Sequence, residues 1–114
     1  VSEKALSDLK MTLLDLALSA NVEDSIRLAN LIQKNTVDTV AAKFDDVKDH
    51  GVKYALFYVL FGTEVPSVLV ETSFLSNPIE EQRLKNAKYQ EQIAEGLFLG
   101  VADFLGDARM AKTL

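Results

Sequence analysis

The chain has 114 residues, a net charge of −5, 48% hydrophobic and 25% charged residues, and no cysteine. That length suits one domain, and the acidic balance argues against a phosphate-binding face, so nucleic acid is not an expected partner. The lack of cysteine removes disulfides, thiolate nucleophiles and Cys-based metal sites, and the single histidine, His50, is too few for a His-rich catalytic zinc site within this chain.

No membrane span is expected. The longest apolar stretches, Ala55 to Gly62 and Leu97 to Ala102, fall far below the roughly 20 residues a helix needs to cross a bilayer. Glu3 and Asp8 interrupt the region where the apolar part of a signal peptide would lie, and the chain starts at Val1 without a Met, as a processed or truncated piece would.

The first predicted helix runs from Ser2 to Ala20. Leu6, Leu9, Leu13, Leu16 and Ala20 alternate spacings of three and four, one apolar stripe, and Leu14 and Leu18 widen it. Such a helix is buried on more than one side or meets a partner. A second helix is predicted over Val22 to Phe44, with Asn21 as its N-cap and Glu23 and Asp24 on the positive end of its dipole. Its apolar face is Val22, Ile26, Ala29, Val37, Val40 and Phe44, and Asp45 to Gly51 form a polar break.

Two strands are expected next, Val52 to Phe61 and Ser67 to Phe74, both rich in β-branched and aromatic residues. Their near-continuous apolar runs fit strands covered on both faces, and the short link Gly62 to Pro66 makes an adjacent pair antiparallel. The last predicted helix starts with Asn77 as cap, Pro78 in first position and Glu80 three residues past the cap. Its inward face continues through Leu84, Ala87, Ile93, Leu97, Val101 and Phe104, and Gly96 and Gly100, four apart, point to close packing against a sheet. The expected fold class is therefore α/β, a layered helix–sheet–helix arrangement in the order helix, helix, strand, strand, helix. Two strands leave edges and faces uncovered, so the chain either associates through those edges or belongs to a larger sheet.

Glu71 stands out. It follows Val68-Leu69-Val70 directly, near the end of a strand expected to be buried, where an isolated carboxylate is costly. One reading is a general base. The plainer ones are a carboxylate paired with Lys or Arg, or one pointing outward at a strand end.

The surrounding residues carry a resemblance. Phe57-Tyr58-Val59-Leu60, the run Val65-Pro66-Ser67-Val68-Leu69-Val70-Glu71-Thr72-Ser73-Phe74-Leu75-Ser76-Asn77-Pro78, and Glu80-Glu81 resemble the end of the zinc-dependent N-acetylmuramoyl-L-alanine amidases. Tyr89-Gln90, Ile93-Ala94 and Gly100 are similar to that family's closing helix. Leu13-Leu14-Asp15-Leu16-Ala17, with Asp24-Ser25 and Leu28, resemble the inserted segment and following helix of the Gram-negative cell-separation amidases. The resemblance implies a peptidoglycan hydrolase of the periplasm or cell envelope that cuts the amide bond between N-acetylmuramic acid and L-alanine. It makes Glu71 the catalytic carboxylate beside a zinc-bound water. Residues 1–114 become the C-terminal portion of a mixed-sheet catalytic domain, with 1–20 an inserted regulatory helix moved by an activator protein and 21–114 a scaffold bearing Glu71. An ordinary core helix is an equal reading of 1–20.

The sequence departs from the family pattern in one respect. The family's His, Glu, His zinc ligands lie in motifs that this sequence lacks, so Zn²⁺ belongs to the complete domain and no metal ligand is assigned here. His50 reads as a surface loop residue, and Ser67 and Ser73 lack a base that would make either a nucleophile. Asn77, Glu80 and Glu81 read as helix-start residues, and Phe74 and Leu75 as groove or core residues. Glu3 could serve in an autoinhibitory contact. The alternatives to an enzyme are a catalytically inactive binding or regulatory module on the same scaffold, and a self-sufficient oligomeric domain.

Overall fold

The computed structural model describes residues 2–54, 60 and 63–113, and for residues 15, 17–20 and 108–113 the backbone alone. The described residues form three helices. α1 runs Glu3–Ala41, α2 Pro78–Leu84 and α3 Ala87–Thr113. Ser2 caps α1, its Oγ accepting the Ala5 N–H at 3.1 Å. At 39 residues the helix is about 58 Å long.

α1 is continuous where two helices were expected. Asn21 does not cap; its side chain donates to the Glu64 carbonyl at 3.0 Å and ties the later loop to the helix. The reason is local: no Gly or Pro occurs before Gly51, and one Asn inside a helix costs only a fraction of a kcal/mol, so nothing stops propagation. The chain leaves α1 through Lys43 and Phe44, whose N–H groups both reach the Val40 carbonyl. Asp46 then adopts a left-handed φ of 53°, which Asp tolerates better than most residues.

The predicted last helix is two. Asn77 Oδ1 accepts from Ile79 N at 3.0 Å and Glu80 N at 3.3 Å, with Pro78 in the first turn, as expected. Asn86 then repeats the device, accepting from Lys88 N at 2.8 Å and Tyr89 N at 3.2 Å. A second side-chain cap competes with helix continuation and separates α2 from α3.

α1 and α3 pack antiparallel, with Gly96 against Thr36 and Gly100 against Ile32. A Cβ added at Gly96 would sit 2.5 Å from Thr36 Cα, and one at Gly100 2.5 Å from Ile32 Cα. Both glycines are thus the close-packing residues the spacing indicates, but the surface they meet is a helix, not a sheet. Buried apolar residues are Ile32, Val40 and Tyr89. Arg27 lies over the Phe104 ring at 4.9 Å, and Asn35 donates to Asp103 at 3.0 Å, continuing the seam. Val101, expected inward, is 40% exposed.

The α/β layered fold is not observed. Among the described residues there is no strand and no sheet. Residues 66–74 are non-helical and run without a ladder; Ser67 N–H, which a ladder would use, donates instead to Ser25 Oγ on α1 at 2.8 Å. The other expected strand, Val52 to Phe61, falls largely outside the described residues; its start, Val52 to Tyr54, is irregular. A two-stranded pair is marginal on its own, and residues 67–73 instead take side-chain partners, Ser25 on α1 and Tyr89 on α3. Association through sheet edges therefore has no sheet to use among the described residues.

The molecule is thin, 63 × 37 × 19 Å, with a radius of gyration of 18.4 Å against about 13 Å for a compact chain of this length. Its accessible surface is 8968 Å², against roughly 6,200 Å² for a compact monomer of its mass. Large apolar side chains lie on that surface. Leu6, Leu9, Leu13 and Leu16, the stripe of the first predicted helix, are all exposed, as are Phe74, Leu75 and Phe98. The Leu18 and Ala20 side chains of that stripe lie outside the described residues. Among the described residues no helix is long and apolar enough to cross a membrane.

Two features of the α1 packing carry predictions. Thr36 Oγ1 is buried at the seam without a hydrogen-bond partner. Burying an unpaired hydroxyl costs free energy, so Thr36→Val, which keeps the branched shape, should raise stability by about 1 kcal/mol; a lowered midpoint in chemical denaturation would show that the hydroxyl is satisfied.

Asp49 ties the following loop to α1, accepting from Gln33 Nε2 at 2.6 Å and from Gly51 N–H at 2.8 Å. The Gln33 hydrogen bond first, then the Gly51 N–H and the neighbouring His50 charge, hold its carboxyl below the ordinary value of 3.8, against a small opposing effect of burial. A carboxyl lowered in the native state contributes stability that is fully present above 3.8 and is lost as pH falls through the native value. Gln33→Ala should therefore move the Asp49 titration upward towards 3.8 by NMR and flatten the loss of stability on acidification.

Candidate active site

Glu71 lies in the non-helical segment 66–74, and it is exposed. The burial expected for it is not seen, since among the described residues no sheet layer covers the segment. Among the described residues no Lys or Arg pairs with it; the ion pairs present are Arg27–Asp24 at 3.2 Å and Lys85–Glu81 at 3.4 Å. Among the described residues no hydrogen bond or ion pair engages its carboxylate.

The segment carrying it is held at both ends by side chains of the two long helices. At its start, Ser67 N–H donates to Ser25 Oγ of α1. At its end, Ser73 Oγ lies 2.9 Å from the Tyr89 hydroxyl of α3, and Phe74 N–H donates to Glu80 of α2 at 3.3 Å. The Phe74 ring meets the His50 ring edge-on, centroids 5.5 Å apart.

The other candidates separate from Glu71 in role. His50 is exposed and packs on Phe74. Ser67 Oγ donates to the Val65 carbonyl, and Ser73 Oγ to the Thr72 carbonyl, so both hydroxyl protons are spent on the backbone. Asn77 is a cap, and Glu80 reaches back to Phe74 N–H. Leu75 is exposed beside Phe74. An open cleft of about 280 Å³ lies between α1 and the 49–52 loop, lined by Gln33, Asp38, Asp49 and Val52 among others, and Glu71 does not line it.

These residues do not make a zinc site. Among the described residues no group of three or more His, Cys, Asp or Glu side chains is placed to hold a metal ion.

Tyr89, Asn86 and Ser25 were not singled out by sequence as supports of the Glu71 segment. Asn86 had a readable signal, an Asn directly ahead of a helical run. The Tyr89–Ser73 contact had none, since it joins residues 16 apart through a fold the pattern did not specify.

The model of the N-acetylmuramoyl-L-alanine amidase family matches residues 16–103. The chain belongs to that family. The matched span includes Ser25, Glu71, Ser73 and Tyr89 and leaves out the start of α1. Among amidase relatives, N-acetylmuramoyl-L-alanine amidase AmiC of Escherichia coli O6:H1 is 31% identical over 96 residues, 84% of this chain and 22% of that protein. AmiC of Neisseria meningitidis serogroup B is 33% identical over 100 residues, 88% of this chain and 23% of that protein. LytC of Bacillus subtilis is 36% identical over 81 residues, 71% of this chain and 15% of that protein. The chain spans about a fifth of the length of these amidases. No solved structure matches it significantly.

Proposed function

We propose that this chain is the C-terminal portion of a single amidase catalytic domain that cleaves the amide between N-acetylmuramic acid and L-alanine in peptidoglycan, with Glu71 as the general base. The family match across residues 16–103 carries the reading. The excess surface supports the part played by the rest of the domain, since exposed apolar rows of this extent are expected where more protein packs.

The chemistry suits an exposed carboxylate. Glu71 accepts a proton from the attacking water as its oxygen bonds to the amide carbon. The C–N bond then breaks, and the proton passes to the departing nitrogen. The products are the muramic acid lactyl carboxylic acid, which keeps the water's second proton until it ionises, and a free L-alanine amine. The resemblance assigns Zn²⁺ to the complete domain, held by residues other than those described. A periplasmic or cell-envelope location goes with this reading, as does an activator acting on the start of α1, where Leu6, Leu9, Leu13 and Leu16 lie exposed.

The test is release of new L-alanine amino termini from purified peptidoglycan by the protein that carries this chain, compared with its Glu71→Gln variant. Loss of release in the variant supports the reading. Equal release overturns Glu71 as base, and no release by the unaltered protein favours the inactive module.

A further inference from the structure

Among the described residues no sheet fixes the segment that carries the Glu71 carboxylate. From Ser67 to Ser73 the backbone spans about 20 Å if fully extended, and among the described residues no backbone hydrogen bond joins it to a neighbouring strand. What holds its far end is Tyr89. Among the described residues this side chain is one of the few that are buried, at 6% exposure. Its ring packs edge-on against Phe44, centroids 5.3 Å apart, and its backbone N–H is held by the Asn86 cap.

The direction of the Tyr89–Ser73 bond follows from proton counting. A serine hydroxyl has one proton, and that of Ser73 goes to the Thr72 carbonyl at 2.6 Å. The Tyr89 O–H therefore donates to Ser73 Oγ at 2.9 Å. Ser73 is then fixed to a buried group of α3 and to the carbonyl of its own neighbour, only two residues beyond Glu71.

We propose that Tyr89 is a positioning residue for the amidase reaction: its hydroxyl, through Ser73, fixes the backbone on which the Glu71 carboxylate stands. The proposal rests on the reading of Glu71 as the base. Tyr89 touches neither substrate nor reacting atoms; it acts by removing the freedom of the last two residues before the clamp.

The test uses the full protein with Tyr89→Phe, which keeps the ring against Phe44 and removes the donor. Turnover should fall roughly 10- to 100-fold, the cost of a displacement near one ångström at a reacting group. KM should stay within about twofold, because substrate contacts are unchanged. Amide exchange followed by mass spectrometry should quicken at residues 68–74 while α1 and α3 keep their protection. Ser73→Ala should reproduce these changes from the other side of the bond, and Ser73→Thr, which retains the hydroxyl, should restore turnover. Unchanged turnover in Tyr89→Phe overturns the proposal. So does exchange that rises equally in the helices, which would mark general loosening. Full turnover in Glu71→Gln overturns the base reading on which it rests; that failure is separable, because exchange at residues 68–74 reports the clamp whatever Glu71 does.

Discussion

Replacing Gly100 with alanine should lower the stability of the protein by about 2–3 kcal/mol, a drop of roughly 10 °C in the thermal midpoint for a chain of this size. Two effects oppose each other. Alanine favours a helix interior over glycine by about 1 kcal/mol, which would stabilise α3. Against this, the new methyl would lie 2.5 Å from Ile32 Cα and 2.9 Å from Ile32 N, and backbone cannot rotate away as a side chain can. The helices must separate, and Ile32, one of the buried residues, loses its contacts. The same argument holds for Gly96, which faces Thr36 Cα at 2.5 Å. Gly106, on the same helix, has nothing within 4 Å of an added Cβ, so Gly106→Ala should stabilise by up to about 1 kcal/mol. Opposite signs from one substitution in one helix isolate the contact from propensity. If chemical denaturation shows all three variants gaining stability, the α1–α3 approach is looser than described.

The features readable from sequence are those decided within a few residues. Asn77, Pro78 and Glu80 mark a helix start because the cap atoms and the N–H groups they meet are neighbours in the chain. Gly96 and Gly100 show that something approaches closely, but glycine spacing has no information on what stands opposite, and a helix filled the place expected for a sheet. The run Ser67 to Phe74 shows the same limit. Its β-branched residues favour extended backbone, while a strand also needs a second backbone alongside, and that is a non-local requirement. Ser67 N–H found a serine hydroxyl 42 residues away instead. Asn21 erred in the other direction: a good capping residue acts as a cap only where the helix ends, and α1 had no reason to end there. At the site, Glu71 was legible as a carboxylate at the end of an apolar run and through the residues around it. Its exposure and its supports were not, since both depend on where α1 and α3 lie.

Glu71→Gln should reduce peptidoglycan hydrolysis by the full protein about 10²- to 10⁴-fold, the range associated with loss of a positioned proton acceptor. The amide matches the carboxylate in size and keeps its reach, so substrate access is preserved and only the capacity to take a proton is removed. The side chain is exposed and has no ion-pair partner among the described residues, so the change should alter stability by no more than about 0.5 kcal/mol. That separation is the diagnostic: a structural carboxylate would lose stability along with activity, or neither. Glu71→Asp retains the acceptor one methylene short of its place, and its turnover should fall between the two, since the cost is then one of position and not of chemistry. A Gln variant with normal turnover and normal stability would make Glu71 an ordinary surface residue. A Gln variant that unfolds would instead reveal a partner for the carboxylate beyond the described residues.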